Sequence, residues 1–356
     1  MSQLSFLIKK ILKCILITIL VIIFSAFLVL FIGRAINKKA PKHGINNGMY
    51  VEINGTKQWI CMYGQNIDNP VLLYLHGGPG CPTSYFDHAI LKQWADIYTV
   101  ITWDQRNCGK SYSDDQNMDD LCYETFMQDG LEMTQFLCKY FNKEKITLLG
   151  HSWGSVFGAN LALNYPEYYE AYIGTGQLVD MEENEKAFIE AAKTWIVNEP
   201  EHQKYIDSLE QGEDSPDYFY ARQYLMEYYK YDMFADGRDY NMVAAIIFNP
   251  YYSLSDFKKL LHYANTKLYE YTTFTLTEDF NKFSLLDKTE YKIPYFNING
   301  DRDYQTNYIQ AQEYFDKITA PKKGMYIMKN GTHGLLESRS KEFSQLLHQI
   351  AAEIYK

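Results

Sequence analysis

Gly150-His151-Ser152-Trp153-Gly154 flanks a serine with glycines two positions away on either side, between an apolar run at 146–149 and a helix-like run at 153–164. Strand, sharp turn and helix form the setting in which a G-x-S-x-G serine acts as a nucleophile. The glycines are required because the backbone turns so tightly that a side chain at either flanking position would clash. Ser152 then projects above the sheet edge, at the positive end of the following helix, where its hydroxyl can attack an acyl carbon.

A serine hydroxyl is a weak nucleophile near neutral pH, so a histidine must take its proton and a carboxylate must fix that histidine's tautomer. The expected chain order is Ser, Asp, His. Of the 8 histidines, His333 and His348 lie in the C-terminal part. His333 occupies the loop Asn330-Gly331-Thr332-His333-Gly334 directly after a strand-like run, whereas His348 falls inside the last helical pattern, so His333 is the candidate base. The apolar run 293–298 leads into Asn299-Gly300-Asp301-Arg302-Asp303, a loop that supplies two carboxylates. His76-Gly77-Gly78-Pro79-Gly80 follows the run 71–75, and glycines at that density let backbone N–H groups approach a ligand. The N–H groups of Gly78 and Trp153 are the candidate oxyanion donors, each donor of this kind being worth on the order of 3 kcal/mol in the transition state. His76 and His151 flank the site as packing or hydrogen-bonding residues.

These residues must be held by a sheet. Short β-rich runs at 50–53, 58–63, 71–75 and 99–103, with turn residues at Asn54-Gly55 and Asn69-Pro70, predict an antiparallel start feeding a central sheet. Helical spacing over 123–141, the buried-strand run 146–149 and helix 153–164 then alternate, which predicts a mostly parallel sheet covered by helices on both faces. Between 180 and 290 the chain turns acidic and Tyr-rich, helical in pattern and interrupted at Pro200, Pro216 and Pro250, so it reads as an inserted helical cap. The rhythm resumes with a strand at 293–298, a helix at 308–318, a strand at 324–328 and a closing helix from 341. The predicted organisation is residues 1–36 as tail and anchor, 37–179 and 291–356 as the two parts of an α/β core, and 180–290 as the cap. The tyrosines crowded between Tyr205 and Tyr271 are candidates for the wall of an apolar pocket.

With 47% hydrophobic and 22% charged residues in 356, the chain has an ordinary globular composition. A net charge of -10 without a basic stripe beyond the N-terminal region gives no footprint for nucleic acid. The 6 cysteines form no CxxC pair and no metal-type spacing, so they predict neither a zinc site nor a disulfide framework, and most are read as buried thiols.

From Ile15 to Gly33 the sequence is uncharged and apolar, close to the ~20 residues a helix needs to cross the hydrocarbon core. It predicts a single-pass anchor in a lipid bilayer. A cleaved signal peptide has a shorter apolar stretch of about 7–15 residues before a small-x-small site, and here apolar residues continue past Ser25-Ala26. Lys9, Lys10 and Lys13 precede the run and Arg34, Lys38, Lys39 and Lys42 follow it, so charge does not select the side on which the catalytic part lies.

Taken together, His76-Gly77-Gly78-Pro79-Gly80, the segment Trp103-Asp104-Gln105-Arg106-Asn107-Cys108-Gly109-Lys110-Ser111 and Gly150-His151-Ser152-Trp153-Gly154-Ser155 resemble the prolyl iminopeptidase (proline iminopeptidase) family of α/β-hydrolases. Gly300-Asp301-Arg302-Asp303 looks like that family's G-x-x-D acid loop and Gly331-Thr332-His333 like its histidine loop. The resemblance implies the α/β-hydrolase fold and a triad of Ser152, Asp303 and His333, needing no metal or organic cofactor. Its implied activity is release of an N-terminal residue, often proline, from short peptides through an acyl-enzyme. An esterase, lactonase or amidase acting on a small apolar substrate is the alternative. Asn107 and His151 stand where the family usually has glycine, and the cap lacks a clear counterpart of the acidic residues that bind the substrate's amino group; Glu199 and Glu227 are the stand-ins.

Overall fold

The computed structural model describes residues 2–113, 121–212, 215–266 and 282–355. Helix α1 (Ser2–Lys38) leads into strands β1 (Ile45–Ile53), β2 (Thr56–Gly64) and β3 (Val71–Leu75), helix α2 (His88–Leu91) and strand β4 (Thr99–Asp104). Next come α3 (Tyr123–Phe141), β5 (Ile146–His151), α4 (Trp153–Asn164) and β6 (Tyr169–Thr175). A helical stretch follows, with α5 (Met181–Trp195), α6 (Gln203–Glu210), α7 (Tyr218–Tyr228), α8 (Met242–Ile247) and α9 (Leu254–Thr266). The chain closes with β7 (Tyr295–Gly300), α10 (Tyr308–Lys317), β8 (Lys323–Met328), α11 (Leu335–Ser338) and α12 (Ser340–Ile354).

The strands form one eight-stranded sheet in the order β1-β2-β4-β3-β5-β6-β7-β8. β1, β2 and β4 pair antiparallel, and every pairing from β4 to β8 is parallel. Asn54 and Gly55 both have positive φ, 45° and 73°, as the tight turn of the β1–β2 hairpin requires. β6 is absent from the strands read out of the sequence. Two tyrosines and Glu170 interrupt its apolar pattern, and only a short turn at Pro166–Tyr168 separates it from α4.

Alternation along the parallel strands divides the interior in two. Val71, Leu73 and Leu75 of β3 enter one core, while Leu72 and Tyr74 enter the other. The first core is covered by α3, α4 and α10 through residues such as Phe126, Val156 and Tyr314, the second by α2 and α12 through Ile90, Phe343 and Leu347. Each such aliphatic or aromatic side chain contributes about 1.5–3 kcal/mol on burial. The sheet is therefore fixed from both faces, and its strand ends are held where the site needs them.

The inserted stretch packs in two ways. Phe188 and Ala192 of α5, Ile206 and Leu209 of α6, and Ala221 and Leu225 of α7 make an apolar cluster of their own. Ala245 of α8 and Tyr263 of α9 instead join the cores beside the sheet. Residues 213–214 and 267–281 of the expected cap, Tyr271 among them, lie outside the described residues.

α1 is long and apolar enough to cross a membrane, and the apolar surface of its spanning part is exposed. Its C-terminal end rests on the turn after α8, where Arg34 Nε donates to the Ile247 carbonyl and Asn37 Nδ2 to that of Phe248, both at 3.0 Å. The cysteines are all unpaired; Cys61 and Cys108 are buried, Cys122 and Cys138 half-buried, Cys14 and Cys81 exposed. This corrects the expectation of mostly buried thiols, which followed from residue type and took no account of the exposed helix and loop that carry Cys14 and Cys81.

Candidate active site

β5 ends at His151, α4 begins at Trp153, and Ser152 joins them at φ 55° and ψ -120°. A non-glycine residue held at positive φ costs roughly 1–3 kcal/mol and persists only where its surroundings impose it. Here the Ser152 N–H donates to Thr175 O at 3.0 Å, and the Ser152 carbonyl accepts from Ser155 N at 2.8 Å. The flanking glycines are obligatory: a Cβ on Gly150 would lie 2.5 Å from the Gly154 carbonyl oxygen, and one on Gly154 would fall on the carbonyl of Leu75.

The loop after β8 carries His333, and its Nδ1 lies 2.8 Å from Oδ2 of Asp303 in the loop after β7, with both residues 1% exposed. Asp303 Oδ1 accepts from the backbone N–H groups of Gln305 and Thr306, and Oδ2 also accepts from the Thr306 hydroxyl. These donors fix the carboxylate's orientation and aim Oδ2 at His333. The proton then sits on His333 Nδ1, which leaves Nε2 as the acceptor nitrogen. Nε2 is buried and has no hydrogen-bond partner among the described residues. Asp301, the other carboxylate of the loop, accepts from Asn330 N at 2.6 Å and so ties the two loops together without touching His333.

His151 Nε2 lies 3.1 Å from the His333 carbonyl, and the two rings stand 4.8 Å apart. Burial drives its pKa down to about 3, with the His333 ring adding to the effect. His151 is thus a neutral brace that donates to the His333 backbone. Burial likewise lowers His76 to about 4, and its Nε2 accepts from Gln105 N at 3.3 Å.

Gln105 links the glycine-rich loop to the serine turn, a role that the sequence reading left unassigned. Its Nε2 donates to the His76 carbonyl at 3.2 Å and its Oε1 accepts from the Trp153 indole at 2.9 Å. Arg106, next along, makes a buried bidentate pair with Asp129, Nε to Oδ2 at 2.8 Å and Nη2 to Oδ1 at 2.7 Å.

Two cavities meet at Ser152. The larger, about 610 Å³, is bordered by Gly78, Trp153, Glu185, Glu227 and Asp232. The smaller, about 360 Å³, is bordered by His333 and by mostly apolar residues including Tyr74, Trp94, Met242 and Leu336. Gly78 and Ser152 belong to both. Ser152 and His333 border the same smaller cavity, with Asp303 hydrogen-bonded behind the imidazole.

The alpha/beta hydrolase fold family matches residues 70–207. Among solved structures, the proline iminopeptidase of Mycobacterium smegmatis superposes with a TM-score of 0.63 at 20% identity, covering 86% of this chain and 98% of that one. The chain has the α/β-hydrolase fold. Among its relatives is a Bacillus subtilis protein named "Probable aminopeptidase YbaC", 25% identical over 296 residues, covering 80% of this chain and 89% of the relative. The proline iminopeptidase of Lactobacillus crispatus is 28% identical over 191 residues, covering 50% of this chain and 60% of its own.

The chain departs from the proline iminopeptidase pattern where the structure gives a reason. Asn107 has φ 59°, in the left-handed region that Asn tolerates next best to the expected glycine. Of the two cap acids, Glu227 borders the larger cavity, where its Oε1 accepts from Gln223 at 2.7 Å. Glu199 does not border it. Its carboxylate accepts from the hydroxyls of Tyr228 and Tyr229 at the C-terminal end of α7. The Tyr-rich stretch is mainly a stack of rings around His202, with Tyr205 and Tyr224 4.3 Å apart; of its tyrosines, Tyr218 borders the cavity. Glu185 and Asp232 border it although the sequence reading did not select them. Helical phase carries the signal for Glu185: Met181, Asn184 and Glu185 share the inward face of α5, while Glu182 and Glu183 pair with Lys186 in solvent.

Proposed function

We propose that the chain is a serine aminopeptidase of the proline iminopeptidase kind. His333 Nε2 takes the Ser152 proton as Oγ bonds to the carbonyl carbon of the first residue, and the oxyanion rests on the N–H groups of Gly78 and Trp153. The tetrahedral centre collapses, the C–N bond breaks, and the imidazolium gives its proton to the departing amine. Water then enters by the same base and releases the amino acid. Asp303 holds the Nδ1–H tautomer throughout and stabilises the imidazolium.

The observation that carries this reading is the acidity of the larger cavity beside Ser152. Glu185, Glu227 and Asp232 border it, and Arg222 offsets one charge through its 3.2 Å contact with Glu185 Oε2. Glu185 Oε1 is buried without a partner among the described residues. A free α-ammonium is costly to bury unless a carboxylate meets it, so a cavity with surplus negative charge suits a substrate with a free N-terminus. The direct test compares proline arylamide, its N-acetyl form and a simple acyl ester. Turnover of the free-amine arylamide, with the N-acetyl form strongly disfavoured, is expected. Ester turnover with no arylamide turnover would instead support the second reading, an esterase, which the apolar character of the smaller cavity favours.

We also propose that α1 anchors the enzyme in a bilayer as a single span. The intact chain is expected to stay in the membrane pellet after alkaline extraction, whereas a shortened soluble form would mark α1 as a cleaved signal.

A further inference from the structure

The catalytic part carries apolar residues that the packing of the fold leaves outside. On α8, Val243 and Ile247 are 65% and 45% exposed and share one face as an i, i+4 pair, while Ala245 and Ile246 pack into the core. At the start of α9, Leu254 is 82% exposed. Exposed apolar residues scattered singly are ordinary. These three are set apart by their place, because the connection between α8 and α9 is where the end of α1 rests.

The contacts fix a depth. The uncharged run from Ile15 to Gly33 is 19 residues long, roughly 28 Å as a helix and so close to the ~30 Å of a hydrocarbon core. Gly33 thus marks the boundary between acyl chains and headgroups. Phe248 packs on Gly33 so closely that a Cβ there would fall on its ring, and Arg34 Nε donates to the Ile247 carbonyl at 3.0 Å. The attachment continues one turn further along α1. Asn37 Nδ2 donates to the Phe248 carbonyl at 3.0 Å, its Oδ1 accepts from Lys92 Nζ at 2.9 Å, and Lys38 lies over the Tyr251 ring. The catalytic part is therefore not held off on a stalk, and Ile247 and Phe248 stand beside the last residue of the apolar run.

Charge agrees with that depth. Residues 34–51 contain Arg34, Lys38, Lys39 and Lys42 and no carboxylate, and Lys258 and Lys259 are exposed on α9 in the turn after Leu254. Asp256, the one acid between 240 and 266, is taken up by Lys110 at 3.0 Å. Apolar side chains at the boundary with surplus lysines just outside it are what an anionic lipid surface accepts.

Building on the reading of α1 as a single span, we propose that α8 and the start of α9 seat the catalytic part on the same bilayer. Val243, Ile247 and Leu254 enter the acyl boundary, and Lys38, Lys39, Lys42, Lys258 and Lys259 meet anionic headgroups. Met242, on the same helix α8, borders the smaller cavity at Ser152, roughly 8 Å along the helix from Ile247. Seating α8 in this way holds one wall of that cavity at the membrane surface.

The test uses the full chain in liposomes of phosphatidylcholine and phosphatidylglycerol. Photoreactive p-benzoylphenylalanine replaces one residue at a time: Val243, Ile247 or Leu254 on the proposed face, and Val21 inside the span. Val197, 74% exposed just after α5, serves as an apolar surface residue elsewhere in the inserted stretch. Lipid adducts are read by mass spectrometry, on variants that keep the parent's unfolding midpoint. Each face position is expected to give about tenfold more adduct than Val197, the preference that inserting one side chain of this size confers. The excess should shrink severalfold when phosphatidylglycerol is omitted. With Ile247→Ser and Leu254→Ser together, adduct from Val243 should fall about tenfold, although α1 keeps the chain in the membrane pellet. Adduct from Val21 without an excess over Val197 at the three face positions overturns the proposal and leaves the span standing. Equal yields with and without phosphatidylglycerol overturn its anionic part. No adduct from Val21 means that α1 does not span, and the proposal falls with that reading.

Discussion

His333 Nδ1 and Asp303 Oδ2 lie 2.8 Å apart in a pocket that leaves each residue 1% exposed, although they are 30 residues apart in the chain and sit on loops after different strands. The contact commits the imidazole to one tautomer. Asp303→Asn would present an amide that cannot stabilise the imidazolium, and a loss of kcat of about 10⁴ is expected. Asp301→Asn, which disturbs only the hydrogen bond to Asn330 N, should cost about 1 kcal/mol of stability and leave kcat within a few-fold. Steady-state kinetics on both variants decide the matter; if Asp301→Asn is the more damaging, the acid is misassigned.

Ser152→Ala removes the bond-forming atom and little else, so turnover should fall by roughly 10³–10⁶ while the thermal unfolding midpoint hardly moves. Fluorophosphonate labelling should vanish with it. Residual activity within tenfold of the parent would refute Ser152 as the nucleophile.

For the amine, Glu227→Gln and Glu185→Gln are expected to raise KM for free-amine substrates about tenfold or more, as expected where a charged hydrogen bond is lost. An N-blocked or ester substrate should be hardly affected. Glu199→Gln, whose carboxylate is engaged by Tyr228 and Tyr229, should leave KM unchanged for both classes. Equal effects on both classes would remove the residue concerned as the amine anchor.

Asp87 makes a statement about stability and pH. Its folded pKa, raised to about 8 from 3.8, means that the native state holds a proton that the unfolded chain has released. The stability contributed is present below about 4 and is lost as pH rises toward 8, because the unfolded state then binds fewer protons. Asp104 on β4 faces Asp87 and is itself raised, to about 6, chiefly by burial, so it steepens the same trend. Unfolding midpoints of the parent and Asp87→Asn should diverge between pH 5 and 8 in favour of the variant. A constant difference across that window would show that Asp87 ionises normally.

Arg106→Met should destabilise by about 3–5 kcal/mol, because it leaves the Asp129 carboxylate buried without its cation. Among the described residues Asp129 then retains the side-chain amides of Gln58 and Asn54. Chemical denaturation measures this directly, and a neutral result would mean that those amides alone satisfy the carboxylate.

The sequence by itself determined the features that rest on local sterics and on period. Only glycine fits at 150 and 154, because the turn at Ser152 brings the Gly154 carbonyl and the Leu75 carbonyl against those positions. The mostly parallel sheet follows from strands that alternate with helices and are apolar on both faces, and the exposed helix α1 from an uninterrupted apolar run. Even there β6 escaped, since its tyrosines mask the pattern. Residue type and position left Asp301 and Asp303 both open, and within the sequence only the resemblance selected Asp303; tertiary structure alone decided that Glu185 and Glu227 border the site while Glu199 faces Tyr229, and that Gln105 spans the two loops around Ser152. The physical reason is that these choices depend on which way a loop or helix face turns once distant segments are packed. Spacing along the chain specifies a residue's phase within its own element, but the neighbour it meets is set by how the sheet brings the elements together.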